Sequence, residues 1–520
     1  MHWARWGDPD HASPLSDEAR GLVELAFGPA EERGTVALSD VRLPSPRLAA
    51  DLLAGLVGLV GEEHVHTDAG TRVRHTRGKS TPDLLRLRAG DASDAPDAVV
   101  RPADHDQVQA VVTWASEHRV ALVPFGGGTS VVGGLVADGA GYAGVVALDL
   151  RRLARLVDVD AESGTAVLEA GLLGPEAEEL LGAHGLTLGH FPQSFRHASI
   201  GGFAATRSSG QASSGYGRFD ALVPGVTVAT PIGTLDLGRA PASAAGPDLR
   251  ELVLGSEGAF GVITSVTVRV RPAPEVTAYD AWRFGSFAEG RSALRALARS
   301  ARVPTVLRLS DETETAVNLA SPDAVGAGSA GGCLAVVGFE GKAEDVATGR
   351  EAATALLTGL GAEPLGEGPG AAWARGRFEG PYLRDALLDL GVLVETLETA
   401  TFWSKVPALH AAVTEALTGT LDSPLVLCHV SHVYATGASL YFTVAAKQQG
   451  DGLEQWAAAK RAASDAILAA GGTITHHHAV GHDHVPWLAE EIGPVGVEVL
   501  RAVKQRLDPH GVLNPGVLVP

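Results

Sequence analysis

The chain has 520 residues, too many for one hydrophobic core and about right for two or three domains. Apolar residues make up 45% and mean hydropathy is +0.11, a globular composition with no run of about 18 uninterrupted apolar residues to span a bilayer. A formal charge of -20 argues against a nucleic-acid partner, and two cysteines, Cys333 and Cys428, leave neither a disulfide framework nor a cysteine metal site.

The opening MHWARWGDPD carries charges and a proline where a secretion signal needs apolar residues, so the expected location is cytoplasmic. Residues 1–92 read as an N-terminal segment of Leu-rich helical pieces ending in the basic run TRVRHTRGKSTPDLLRLR. From there strand and helix take turns: AVVRP is a strand, HDQVQAVVTWASEHR has helix-spaced apolar positions, and ALVPF is the next strand. That strand runs into VPFGGGTSVVGGL. Beyond Pro124, the consecutive Gly126, Gly127 and Gly128 let the backbone come close to a ligand, so that successive N–H groups point at a pyrophosphate, while Thr129 and Ser130 add hydroxyls. No G-K-[ST] of a P-loop and no G-x-G-x-x-G opening a long helix accompanies them, which points to a diphosphate of another kind.

The stretch from His190 to Thr234 is crowded with small residues. Gly201, Gly202 and Gly210 let backbone approach a flat ligand, and Ser194, Ser199, Thr206 and Ser209 offer hydroxyls beside Pro192. A third piece, LVLGSEGAFGVITSVTVRV, sets Glu257, Gly258 and Gly261 in a turn before a strand that opens with Val262 and Ile263. These three pieces fall within residues 93–275. Residues 276–470 form a second region, with helices such as GRSALRALARS and HAAVTEAL and strands such as GCLAVVGFE, PLVLCHVSHVY and ASLYFTVAA. Its segment 321–332, SPDAVGAGSAGG, reads as a mobile loop. In residues 471–520 a helix stops at Asp508-Pro509 before an extended tail.

The three glycine-bearing pieces, with the closing LDPHGVLNPG, resemble the FAD-binding domain of the vanillyl-alcohol-oxidase or p-cresol-methylhydroxylase (PCMH) type. The resemblance implies an α+β fold: a two-subdomain PCMH-type FAD-binding domain plus an α+β cap domain with an antiparallel sheet. It also implies that the first loop binds the FAD diphosphate, the second passes beside the isoalloxazine, the third approaches the adenosine, and residues 471–520 return to the flavin domain. No histidine lies within residues 123–135 to attach a flavin there, so the FAD is expected to be non-covalent.

Further motifs resemble the alkylglycerone-phosphate synthase family: MHWARWG, PQSFRHASIGGFAATRSSG, VLRLSDE around Arg308, PYLRDALLDLGVLVETLETATFW around Arg384, TGASLYFT around Tyr441, and THHHAVG. The resemblance implies an exchange of the acyl group of acyl-dihydroxyacetone phosphate for a long-chain alcohol through a flavin N5 adduct. In it Tyr441 assists proton movement, His476, His477 and His478 are active-site histidines, Arg384 binds substrate and Arg308 supports activity. A lipid-like substrate, a homodimer and peripheral membrane contact are expected with it. By pattern alone Arg384 in YLRDALLDL reads as half of a surface ion pair, and Tyr441 as a core strand aromatic. Of the three histidines, His476 and His478 are the two that alternation would put in one pocket.

Two other readings stay open. One is an FAD-dependent dehydrogenase or oxidase of a 2-hydroxy acid or alcohol with the histidines as general base; the other is a flavin-binding protein without catalysis. No metal is expected. His429 and His432, three apart on a strand, should face opposite sides, and His482, His484 and His510 read as exposed polar residues. The family's His-His-His-Gly appears here as HHHA, so Ala479 adds a Cβ where the backbone turns.

Overall fold

A computed structural model describes all residues except Ser13, Ala137 and 319–330, so the loop expected at 321–332 lies almost wholly outside the described residues. Two sheets carry the glycine-bearing pieces. The smaller joins Val65–His66, Ala98–Val100, Val145–Asp149 and Ala121–Phe125 in that order, its last three strands parallel. Parallel strands are covered on both faces, which is why AVV, VVALD and ALVPF carry hardly a polar residue. The helix His105–His118 crosses between two of them. Asp104 caps it by accepting from the Gln107 N–H, Val108, Val111, Val112 and Ala115 form its buried stripe, and Arg119 ends it at φ 54°. The larger sheet is antiparallel, in the order Leu156–Asp160, Thr165–Glu169, Val262–Arg269, Gly225–Thr230 and Gly233–Leu237. A single core containing Leu122, Leu148, Leu168, Phe203 and Val266 packs between the two.

The second region is a seven-stranded antiparallel sheet in the order Glu363–Gly366, Val276–Phe284, Cys333–Gly341, Val306–Ser310, Leu425–Val433, Gly437–Lys447 and Val392–Phe402. The helices Phe287–Ala298, Ala343–Gly359, Val406–Thr420 and Gly452–Ala469 cover one face through Leu294, Leu357, Leu409 and Trp456. Cys428, Leu440 and Phe442 point into that core, so alternation leaves His429, Tyr441 and Glu398 on the other face.

Alternation then breaks. Val430 pairs with Leu440 but His432 pairs with Ser439, so Ser431 is an extra residue on its strand. This β-bulge returns His432 to the face that carries His429, which corrects the expectation that the two histidines face opposite ways. The chain finally comes back to the first region. Leu122 donates its N–H to Val512 and accepts from Asn514, so residues 512–514 run beside the strand Ala121–Phe125. Among the described residues, no helix is long and apolar enough to cross a membrane. Cys333 and Cys428 are buried and unpaired.

Candidate active site

Pro124 closes its strand, and the glycine loop follows. None of the amides of residues 126–133 donates a hydrogen bond within the described residues. Half-buried amides normally find acceptors, and a run of eight free ones is a nest for an anion. The loop lies against the segment His197–Ser199 so closely that a Cβ on Gly127 would run into the His197 carbonyl oxygen and one on Gly126 into Ser199 Oγ. From the other side Ser130 accepts the Lys79 N–H at 2.6 Å through its carbonyl.

The second piece holds the short helix Ile200–Thr206, capped by Ser199, whose Oγ accepts from Gly202. The hydroxyls expected to reach a flavin are partly spent: Ser199 on that cap, Thr206 on the Gly202 carbonyl, and Ser209 on His432. A Cβ on Gly201 would lie 2.6 Å from Ala170 Cβ, and one on Gly210 2.8 Å from the Phe191 nitrogen, so these glycines serve packing. Ser194 Oγ makes no hydrogen bond within the described residues, next to the buried Pro192. Three buried polar atoms here lack partners: His190 Nδ1, Gln193 Nε2 and His197 Nε2. Burial lowers the His190 ring to a pKa of about 3, so it is neutral. Free amides, orphaned buried donors and glycine-only approaches are what a flat, diphosphate-bearing cofactor would satisfy, so the residues fit FAD.

In the third piece Gly258 and Gly261 turn the chain toward Val262 and Ile263, which pair with Ala229 and Val228. Glu257 reaches elsewhere. Its carboxyl accepts the Val480 and Gly481 N–H groups at 2.9 Å, and burial pushes its pKa up to about 7. It ties the histidine loop to the first region.

The opposite wall is the open face of the seven-stranded sheet. Tyr441 lies in register between Glu398 on one neighbouring strand and His429 on the other. The His429 ring stacks on Tyr441 at 5.0 Å, and His477 lies parallel to it at 6.1 Å. Burial pushes the Tyr441 phenol up to about 12, so it keeps its proton at neutral pH. His476 and His477 approach Nδ1 to Nδ1 at 2.9 Å, and the His478 ring stands 4.8 Å from that of His477. The close pair is therefore His476 and His477, not His476 and His478. Burial lowers His476 and His478 to about 3 and lowers His477 as well, which leaves neutral imidazoles with lone pairs for protons.

Arg384 is buried, which overturns the surface ion-pair reading. It donates to the Lys79 carbonyl at 2.6 Å and to Asp385 at 3.4 Å, and its Nε has no partner within the described residues. The chain start folds over it: the Trp6 N–H donates to Asp385, and Arg5 binds Asp389 with both terminal nitrogens. Arg308 acts at one remove. It pairs with Glu314 at 2.9 Å, and Glu314 binds His429 Nδ1 at 2.9 Å, below Tyr441.

Four residues in this wall are given no site role by the motifs: Glu398, Glu314, His429 and His432. His432 Nδ1 meets the hydroxyls of Ser209 and Ser213, and one nitrogen each of His432, His476 and His477 lie within 4.8 Å of one another. His484 is buried, with Nδ1 on the Ala479 carbonyl, and His482 is half-buried; of the three histidines expected outside, His510 is exposed. Ala479 sits at φ 74°, a left-handed conformation in which a Cβ costs roughly 1–2 kcal/mol. Ala479→Gly should therefore stabilise the protein by about 1 kcal/mol, read as a rise in denaturation midpoint.

Two family models match the chain: "FAD binding domain" over residues 96–237 and "FAD linked oxidases, C-terminal domain" over residues 273–518. FAD is accordingly the cofactor. The alkyldihydroxyacetonephosphate synthase of Dictyostelium discoideum is 32% identical over 514 residues, covering 94% of this chain and 84% of that protein. A solved alkyldihydroxyacetonephosphate synthase superimposes with a TM-score of 0.85 at 28% identity, over 99% of this chain and 98% of that one. At 16% identity and a TM-score of 0.69 over 91% of this chain and 98% of the other, p-cresol methylhydroxylase shares the fold. With that identity over nearly its whole length, the chain belongs to the alkyldihydroxyacetonephosphate synthase family, also called the alkylglycerone-phosphate synthases.

Proposed function

We propose that this enzyme exchanges the acyl group of acyl-dihydroxyacetone phosphate for a long-chain alcohol, the ether-forming step of ether lipid synthesis. The observation that carries the reading is the cluster of neutral imidazoles stacked around a protonated tyrosine, opposite a run of free amides. FAD, held non-covalently by residues 124–130, 192–210 and 257–263, supplies an electrophilic isoalloxazine when bound. The chain's own residues manage protons and charge. His476, His477 and His478 take and return the proton of the carbon that exchanges its substituent, and Tyr441 donates from its phenol toward the leaving oxygen. Arg384, with Nε open, binds the phosphate. Arg308 holds Glu314 ionised beneath His429 and so fixes the ring against which Tyr441 stacks.

The boundary between an FAD domain 93–275 and a cap 276–470 is supported by the two family matches and the separate sheets; the N-terminal segment 1–92 and the returning segment 471–520 belong to the same reading. Peripheral membrane contact is supported by the exposed Val495 and Val499, one turn apart on a helix. A homodimer and a cytoplasmic location belong to the same reading. So does chemistry without a metal: His476 and His477 spend their facing nitrogens on each other, and His432 spends Nδ1 on two serines. Dialysis against EDTA should then leave turnover unchanged.

The deciding experiment is an anaerobic titration of the yellow protein with palmitoyl-dihydroxyacetone phosphate, followed by hexadecanol. Loss of the oxidised flavin band, release of palmitate, and return of the band with an ether product are expected. A flavin that ignores this substrate but is reduced by a 2-hydroxy acid, with a 2-oxo product, would make the protein an oxidoreductase.

A further inference from the structure

Glu398 lies on the strand Val392–Phe402 and is 3% exposed. It forms no ion pair with an arginine or lysine among the described residues. Instead the histidine loop wraps it: its carboxylate accepts the N–H of His476 at 2.6 Å, of His477 at 3.1 Å and of His478 at 2.9 Å, and the hydroxyl of Thr475 at 2.6 Å. Burial alone would raise its pKa, but the neighbouring imidazoles and these donors hold it well below the usual carboxylate range. Among the described residues the imidazole nitrogen within 4 Å of it is His477 Nδ1, 3.5 Å from Oε2.

The protons of the pair can be traced from there. Because His476 Nδ1 and His477 Nδ1 lie 2.9 Å apart, one donates and the other accepts. His476 Nε2 meets the Tyr434 hydroxyl at 2.6 Å, which works in either direction. In one arrangement His477 carries Nδ1–H, His476 accepts it and donates from Nε2 to Tyr434. In the other Tyr434 donates, the chain reverses, and His477 Nδ1 accepts from His476, so His477 carries its proton on Nε2 and turns the electron-rich edge of its ring toward a carboxylate 3.5 Å away. Electrostatics selects the first, in which the protonated, positive edge of the His477 ring dipole faces the anion. His477 Nε2, which makes no hydrogen bond among the described residues, then carries the free lone pair.

We propose that Glu398 is a positioning residue that holds His477 as the Nδ1–H tautomer and balances the imidazolium formed when Nε2 takes a proton, making that nitrogen the proton acceptor of the site. This rests on the transfer reading above only for where the proton comes from. The groups facing the His477 ring are Glu398, Tyr441 from the central strand, His476 and His478 in its own loop, His432 from the bulged strand, and Arg218, which pairs with Asp220. Glu398 is the anion among them.

The test uses FAD-loaded protein with 15N-labelled histidine, in wild type, Glu398→Gln and Glu398→Asp, with His477→Asn for assignment. In wild type His477 should show the Nδ1–H tautomer. Glu398→Gln should mix the tautomers and move both the protonation of His477 and the acid limb of kcat at least one pH unit lower. KM and FAD content should stay within twofold, and Glu398→Asp should restore the tautomer. An Nε2–H tautomer in wild type, or an unchanged tautomer and acid limb in a Glu398→Gln protein that has merely lost FAD, would overturn the proposal. Should Glu398→Gln fail to fold, the wild-type tautomer and the aspartate variant decide. If wild type does not turn over the acyl substrate, the transfer reading falls and the NMR result on His477 still stands.

Discussion

Gly127→Ala should strip the protein of FAD. The added Cβ has nowhere to go, because the His197 carbonyl oxygen already lies against Gly127 and both partners are backbone. The loop and the second piece would have to part, and with them the array of free amides proposed to hold the diphosphate. Overpacking of this kind costs about 1–3 kcal/mol, which converts to roughly 5- to 150-fold weaker binding. The measurement is bound flavin per chain after gel filtration, with apoprotein titrated by FAD fluorescence quenching. Gly182→Ala is the control, since that glycine has open space around it. A Gly127→Ala protein that keeps a full complement of flavin would mean the diphosphate does not use this loop.

Tyr441→Phe should abolish most turnover while leaving the flavin in place. The ring would keep its stack on His429 and its register between Glu398 and His429, so what is lost is one phenolic proton. Removing a positioned proton donor costs roughly 10²–10⁴-fold in rate. Because burial holds the phenol near 12, wild-type kcat should show no basic limb from this group below about pH 10. Single-turnover release of palmitate, compared at equal FAD content, checks both points. A phenylalanine variant within a factor of three of wild type would move the proton chemistry wholly onto the histidines.

Local features of the site could be read from the sequence, and long-range ones could not. Gly126 to Gly128, the small-residue segment after His190 and the HHH loop each announce themselves within a dozen residues, because backbone approach demands glycine and neutral proton carriers demand imidazole. Glu398 could not be found that way. In ETLETATF it looks like any polar position of an alternating strand, and its meaning comes from Tyr441 across the ladder and a loop almost eighty residues downstream. His432 was hidden by a one-residue bulge, which inverts every later side chain on its strand without altering composition. Arg384 reads as exposed because its partner Lys79, and Trp6, which binds the adjacent Asp385, are hundreds of positions away. The burial of His484 is hidden for a similar reason: its partner is the carbonyl of a residue held left-handed, which pattern does not foretell. The bounds of the cap sheet, by contrast, follow from alternating apolar runs, and GCLAVVGFE, PLVLCHVSHVY and ASLYFTVAA all became strands.

The return of residues 512–514 to the strand Ala121–Phe125 sets an order of events during synthesis. Asn514 donates to the carbonyls of Gly134 and Glu257, the first of them 380 residues earlier in the chain. Until the ribosome has made that asparagine, the glycine loop lacks one of its braces and the strand beside it lacks a neighbour. Chains emerge at about 5–20 residues per second, so the nascent flavin domain waits on the order of 10 s or more for this piece. Cofactor capture is therefore expected only once residue 514 has been made, and a ribosome stalled before residue 512 would hold a domain with its sheets formed and its cradle unfinished.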